Sequence, residues 1–392
     1  MSLTHPVSVW RTAGMPALLA MTLLGFSGYA ALLPVAPLWA AHGGAGSAGV
    51  GAVNGVLMLF TVLTQPFVPG AVRRLGWGPV MATGLVLLGA PSLVHLASDG
   101  LPFVLGLSAV RGLGFGILTV TGSAAVAELV APGRRGAAVG AYGLAVAVPQ
   151  LLLMPAGPWL AEDIGFWTVF AAGSLPILGC IPALFLGRRL VPHPPDDTAV
   201  ESRRRVYRRL LRPMVLLLGV TLAGGALITF STDLAGVAWL TTASLLLLTA
   251  FAALSRWGVG GLADQYGEHR FLWPLVALTV VGLLLVALAI AGPDDTDAAL
   301  LLAGVSLIGI AYGGLQNLTL LVSFHAVSRR DYGTASAVWN IGFDTGTGLG
   351  AVLVGAIAAG TSFTTALLVA AVISLATLPL ALLPERRSLT GQ

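Results

Sequence analysis

The chain has 392 residues, 56% hydrophobic and only 9% charged, with a mean hydropathy of +0.91. Ordinary globular chains carry about 25% charged residues, so there is too little polar side chain here to coat a soluble particle. That excludes a soluble enzyme, a nucleic-acid binder and a disordered scaffold. The formal net charge of +4 does not reverse this reading: all 20 basic residues are arginine, and their placement follows membrane orientation. A single cysteine, Cys180, permits no intrachain disulfide. No Cys/His cluster has metal-binding spacing, and no cofactor motif appears.

A bilayer core about 30 Å thick takes about 20 apolar residues per helix. Twelve such runs are expected in chain order, at 14–38, 49–71, 78–97, 102–128, 136–160, 165–186, 213–233, 237–256, 271–291, 298–322, 333–357 and 362–383. The first is too long for a signal-peptide core and is read as a retained helix. With the N-terminus inside, the segments expected to face the cytoplasm hold nineteen of the twenty arginines. These are Arg11, Arg73, Arg74, Arg134, Arg135, eight between 188 and 212, Arg256, Arg270, Arg329, Arg330, Arg386 and Arg387. The opposite loops carry Asp99, Glu162, Asp163, Asp294, Asp295 and Asp297 instead. This asymmetry sets the orientation and favours an even number of spans. The longest inner segment, 187–212, divides the chain into halves of six spans, 1–186 and 213–392. Its later part, Glu201 to Arg212, reads either as a basic amphipathic helix on the inner leaflet or as a solvated linker.

The halves echo one another. RRLG at 73–76 recurs as DQYG at 264–267, and GRRG at 133–136 as RRDYG at 329–333, with offsets near half the chain length. Such repeats point to two pseudo-equivalent bundles with substrate between them near the midplane, exposed to each side in turn by rocking.

The segment SRWGVGGLADQYGEHR (255–270) resembles the cytoplasmic loop signature of the major facilitator superfamily, with Gly260, Gly261, Leu262, Ala263, Asp264, Gly267 and Arg270 in place. Gln265 and Glu268 depart from it. AVRGLGFG (109–116) followed by AELVAPGRRG (127–136) resembles the family's fourth helix and next loop. WNIGFDTGTGLG (339–350) resembles the eleventh helix of its arabinose-efflux-permease-like branch. The first copy of the loop signature, TQPFVPGAVRRLG (64–76), keeps Gln65, Pro66 and Gly76 but has Arg73 where the family has an aspartate. In the fifth span, Pro155, Gly157 and Pro158 partly match the drug-proton antiporter pattern, while Met154 replaces a glycine. The resemblance implies an all-α integral membrane fold of twelve helices in two bundles, both termini cytoplasmic. It implies that helices 1, 4, 7 and 10 line the cavity and helices 3, 6, 9 and 12 support it.

Charge inside the spans marks function by default, because a central Arg or Asp costs about 2.5–3.5 kcal/mol on insertion scales. Arg111 and Asp344 lie deep in spans 4 and 11; Asp233 lies near the end of span 7. Asp344 is the expected proton carrier, tuned by Arg111, with Asp233 as a further candidate. The plain alternative is structural pairing, and the sequence leaves open whether Arg111 and Asp344 meet. Tyr29, Arg111, Phe230, Gln316, Asn317 and Asn340 are the expected cavity residues. Amides in membrane helices also serve as simple interhelical bonds. For the conformational gate, Asp331 is expected to pair with Arg73 or Arg74. Asp264, followed by Arg270, is expected to face Arg134 and Arg135, with Glu128 also pairing with that arginine pair.

The function expected is proton-coupled export of a small organic molecule (drug, sugar or secondary metabolite) by a monomer in a bacterial cytoplasmic membrane. Its partners are then the substrate, protons and lipid, with no nucleic acid. A proton-coupled nutrient importer and a transport-inactive receptor or assembly partner are the alternatives. No HExxH, Gly-x-Ser-x-Gly or GxxxxGK[ST] motif supports an enzyme.

Overall fold

A computed structural model describes residues 12–130, 135–190, 202–292, 296–328 and 331–383. The described residues fold into helices and connecting turns. In order these are α1 (Met15–His42), α2 (Ser47–Thr64), α3 (Val68–Leu75), α4 (Trp77–Val94), α5 (Leu101–Leu129), α6 (Arg135–Trp159), α7 (Phe166–Gly173) and α8 (Cys180–Gly187). Then follow α9 (Arg203–Thr229), α10 (Ser231–Ala235), α11 (Ala238–Tyr266), α12 (His269–Ala289), α13 (Ala298–His325), α14 (Tyr332–Gly360), α15 (Phe363–Leu375) and α16 (Leu378–Leu382). Among the described residues, eleven helical segments are long and apolar enough to cross a membrane. One of them, Gly140–Gly187, runs for 48 residues and contains the predicted fifth and sixth spans. Inside it a π-helical turn at Leu160–Gly165 separates α6 from α7.

Prolines set most of the internal breaks. Pro66 has no N–H to donate, and α2 gives way there to a 3-10 turn, Gln65–Phe67, before α3. Pro176 lies in a similar turn between α7 and α8. Pro213 does not break α9, which runs unbroken from Arg203 to Thr229. The basic stretch before span 7 is therefore the first turns of that span, not a separate surface helix. Its arginines also close other helices. Arg212 donates from Nε and Nη2 to the carbonyls of Leu380 and Leu383 at the end of α16, at 3.0 and 2.6 Å. Cations are favoured at helix C-termini, where carbonyls lack partners.

The internal repeat reappears in the backbone. Gly76 ends α3 at φ 84°, and Gly267 ends α11 at φ 84°. Each returns its N–H to the preceding turn, to Val72 and Ala263. An L-residue is strained at this angle, so Gly267→Ala is expected to cost roughly 1–3 kcal/mol in thermal or denaturant unfolding. The matching substitution at Gly76 is expected to behave alike.

The helices α1 and α9 lie deepest: 78% and 72% of their most apolar windows are buried, against 33–56% elsewhere. They occupy matching places in the two halves. The halves meet chiefly along two lines, α2 against α14 and α6 against α11. The first is knit by small residues. A Cβ on Gly51 would lie 2.5 Å from the Ala351 carbonyl oxygen, and one on Gly348 would lie 2.7 Å from Met58. Backbones approach this closely only where side chains are absent.

Candidate functional site

Asp344 lies in the middle of α14 and is 1% exposed. Its Oδ2 accepts a hydrogen bond from Gln65 Nε2, across the line where the halves meet. The same amide nitrogen reaches Thr119 Oγ1 on α5 at 3.3 Å. Gln65 stands at the break before Pro66, where the chain turns out of α2. Sequence reasoning saw Gln65 only as a surviving piece of the loop signature. A fully buried amide beside a proline break was the signal available. Asp344 Oδ1 and Gln65 Oε1 have no hydrogen-bond partner and are buried.

Arg111, in α5, is fully buried. Its Nη2 donates to the Gly28 carbonyl at 3.1 Å, while Nε and Nη1 have no acceptor. Next to Gly28, Tyr29 stacks on Phe115 with ring centroids 4.0 Å apart and planes 2° from parallel. Phe26 meets both rings edge-on. Tyr29 lies within electrostatic reach of Arg111, Asp344 and Tyr312. Arg111 and Asp344 form no ion pair with each other; Tyr29 is the neighbour they share.

Arg256 departs from the expected picture. The charge count assigned it to a connecting segment, but α11 continues ten residues beyond it to Tyr266. Its Nη1 donates to Gln316 Oε1 at 3.1 Å, and its backbone carbonyl accepts from Asn317 Nδ2 at 2.5 Å. Gln316 and Asn317, expected to line a cavity, are thus partners of Arg256. Tyr142 on α6 and Tyr312 on α13 are its electrostatic neighbours. Gly143 faces it as well: Nε lies 3.4 Å from where a Cβ of that residue would sit. Arg256 therefore sits where α6 and α11 bring the halves together.

Phe230 does not stand in an open cavity. It is fully buried at the break between α9 and α10, against Gly51 and Gly355 and 5.2 Å from the ring of Phe363. It fills the α2–α14 line at the end where α2 begins. Close to it, Asn54 Nδ2 donates to the Leu33 carbonyl and to Thr229 Oγ1, at 2.9 and 3.0 Å. Toward the other end, Ser123 on α5 bonds to Ser336 on α14. Asn340 donates to the Ser336 carbonyl at 2.8 Å. Asp233, on the short α10, is exposed.

The one expected gate pairing whose residues are all described, Asp331 with Arg73 or Arg74, is not formed. Asp331 instead accepts from the Ser328 hydroxyl at 2.9 Å, three residues back, while both arginines are exposed on α3. A short local bond satisfies the carboxylate without ordering a long arginine side chain. Arg270 and Glu128 are exposed at helix ends. Arg134 and the side chains of Arg135 and Asp264 lie outside the described residues. At the arginine-rich end, Glu268 accepts from His325 Nδ1 at 3.0 Å. That hydrogen bond holds the Glu268 carboxyl below its ordinary pKa. At the opposite end, His42 pairs with Asp99 at 3.0 Å.

Buried charge in the core, a seam between two sets of helices and repeated backbone turns are features of a machine with two halves. Residues 18–292 and 214–392 match the family model of the Major Facilitator Superfamily. Over 126 residues the chain is 31% identical to the uncharacterized MFS-type transporter Rv1250 of Mycobacterium tuberculosis. That match covers 31% of this chain and 22% of the relative's length. Three solved structures have the same fold over nearly all of the chain. The human organic anion transporter MFSD10 (TETRAN) aligns with a TM-score of 0.72 at 17% identity, covering 96% of this chain and 100% of that one. A bacterial homolog of the human lysosomal transporter Spinster, inward-facing and unoccupied, aligns at 0.69 and 14% identity, covering 95% and 96%. The nucleoside transporter NupG aligns at 0.68 and 14%, covering 94% and 98%. The chain belongs to the Major Facilitator Superfamily.

Proposed function

We propose that this protein is a secondary active transporter that exports a small organic molecule in exchange for entering protons, as in the drug-proton antiporter-like branch it resembles. The observation that carries the reading is the Gln65–Asp344 hydrogen bond, made by a buried carboxyl across the seam between the halves. An ionised carboxylate only accepts hydrogen bonds, while a protonated one also donates. A proton on Asp344 therefore changes a contact that holds the halves together. Arg111 and Tyr29 extend the polar core away from that contact, and Asp233 is exposed enough to exchange protons with water. Parting of α2 from α14, and of α6 from α11, would open the core to each side in turn.

We read Gly140–Gly187 as two crossings. As continuous helix 48 residues would span about 70 Å, twice a bilayer core of about 30 Å, and the turn ending at Gly165 supports a reversal. The count is then twelve, with both termini on the arginine-rich, cytoplasmic side. Residues 1–186 and 213–392 form the two bundles, 187–212 joins them with its last ten residues as the first turns of α9, and a monomer works in a bacterial cytoplasmic membrane.

The test uses inside-out vesicles from a host stripped of efflux pumps, a respiration-driven pH gradient and a pH-sensitive dye. Adding members of a chemically diverse panel should release protons only when this protein is present. Uptake of the same compounds into whole cells, with no proton release from the vesicles, would favour the importer reading instead.

A further inference from the structure

Two arginines lie among the helices with no carboxylate partner. Arg111 is fully buried, as is one described acid, Asp344, while Arg256 is half-buried between the helices. Neither guanidinium is paired with a carboxylate, and neither shares electrostatic reach with Asp344. An arginine remains charged under all ordinary conditions. A charge held among helices without a counter-charge is costly, so an arginine with no carboxylate partner is a place for an anion from outside the protein.

Of the two, Arg256 is the better placed to receive it. Arg111 is fully buried and tied to the Gly28 carbonyl within one half. Arg256 is partly exposed and lies between the halves. Only its Nη1 is used, by Gln316. Its Nη2 makes no hydrogen bond to protein, and its Nε side lies close against Gly143 of α6. The Tyr142 and Tyr312 side chains flank it. A guanidinium with a free edge is matched in geometry to a carboxylate, which it binds through two parallel hydrogen bonds.

We propose that the transported molecule carries an anionic group of the carboxylate kind, and that Arg256 is the side chain that binds it. This inference rests on the transporter reading above. The glycine at 143 keeps side chains of α6 off the guanidinium, and Gln316 holds it in place.

The experiment uses the full-length protein in lipid nanodiscs and one aromatic skeleton in three forms: phenylacetate, phenylacetamide and phenethylamine, with benzoate as a shorter carboxylate. Thermal unfolding, followed by tryptophan fluorescence, reports binding; the same compounds are assayed for flux in proteoliposomes. The carboxylates should raise the unfolding temperature of the wild type, and the amide and amine should not. Arg256→Gln should weaken carboxylate binding about tenfold or more, while Arg256→Lys, which keeps the charge but loses the fork, should fall between. Both variants must unfold cooperatively without ligand. If Arg256→Gln does not, Gly143→Leu takes its place, since its side chain presses on the guanidinium from α6 and leaves the arginine intact. Preference for the amine, equal carboxylate binding by Arg256→Gln, or no response of folded protein to either carboxylate would overturn the proposal. Carboxylate binding without flux would sink the transporter reading and leave Arg256 as an anion site. Flux of the amine alone would do the reverse.

Discussion

Replacing Asp344 by asparagine is expected to abolish proton-coupled transport while leaving the protein folded. The two side chains have nearly the same shape, and asparagine still offers an oxygen to Gln65 Nε2. What is lost is the ability to gain and lose a proton. If the Gln65–Asp344 contact is where a proton reaches the seam, coupled flux should fall roughly a hundredfold or more, about 2.7 kcal/mol at 1.36 kcal/mol per decade. Substrate binding, and exchange of labelled for unlabelled substrate with no gradient, should persist. Stability should not fall, because an ionised carboxylate in a membrane helix costs about 2.5–3.5 kcal/mol on insertion scales and the amide relieves that cost. Proton release from vesicles and solute exchange, measured side by side at matched expression, separate the two effects. A variant that still couples protons at the wild-type rate would remove Asp344 from the mechanism and direct attention to Asp233.

Gly51→Leu should hold the seam apart. A Cβ at that position would lie 2.5 Å from the Ala351 carbonyl oxygen and 3.3 Å from the Phe230 ring. Neither neighbour yields easily: one is backbone, and the other is a fully buried ring lodged against Gly355. Overpacking of this kind costs about 1–3 kcal/mol. Here the halves can separate to relieve it, so the cost becomes a bias of about 5- to 150-fold toward the arrangement open at that end. The readout is maleimide labelling of Thr229→Cys, a buried seam position, in a Cys180→Ser background. Labelling should accelerate by that factor, and transport should fall because the closed state is depopulated. Gly106→Leu is the control, since nothing lies within 4 Å of a Cβ there. Unchanged labelling together with full transport would mean that the α2–α14 line does not open.

Much of this architecture is legible in the residues. Helix positions follow from apolar run length, and the paired glycines at 76 and 267 announced the repeat that their shared backbone angle displays. The depth of Arg111 and Asp344 followed from their places within long apolar runs. Other features were hidden for physical reasons. The partner of Asp344 is 279 residues away in the chain, on a different helix, and no periodicity encodes such a pairing. Arg256 was misplaced because hydropathy falls there, whereas the helix ends only where Gly267 breaks the backbone ladder. The start of α9 was misread in the same way: its basic turns are helical because they continue a long helix, not because a membrane surface draws them. Phe230 was expected to line the cavity; its neighbours are instead glycines of two other helices, and those close approaches depend on packing alone.

The central claim is that the two halves part along the α2–α14 line under control of Asp344. The most direct test places spin labels on Ala48→Cys and Ala359→Cys, exposed positions near the ends of α2 and α14, in a Cys180→Ser background. Distances between them are then measured by pulsed electron resonance in nanodiscs across a range of pH. The account predicts two distance populations whose ratio changes with pH in the protein carrying Asp344 and stays fixed in Asp344→Asn. A single distance at every pH, or a pH response undiminished in Asp344→Asn, would contradict it.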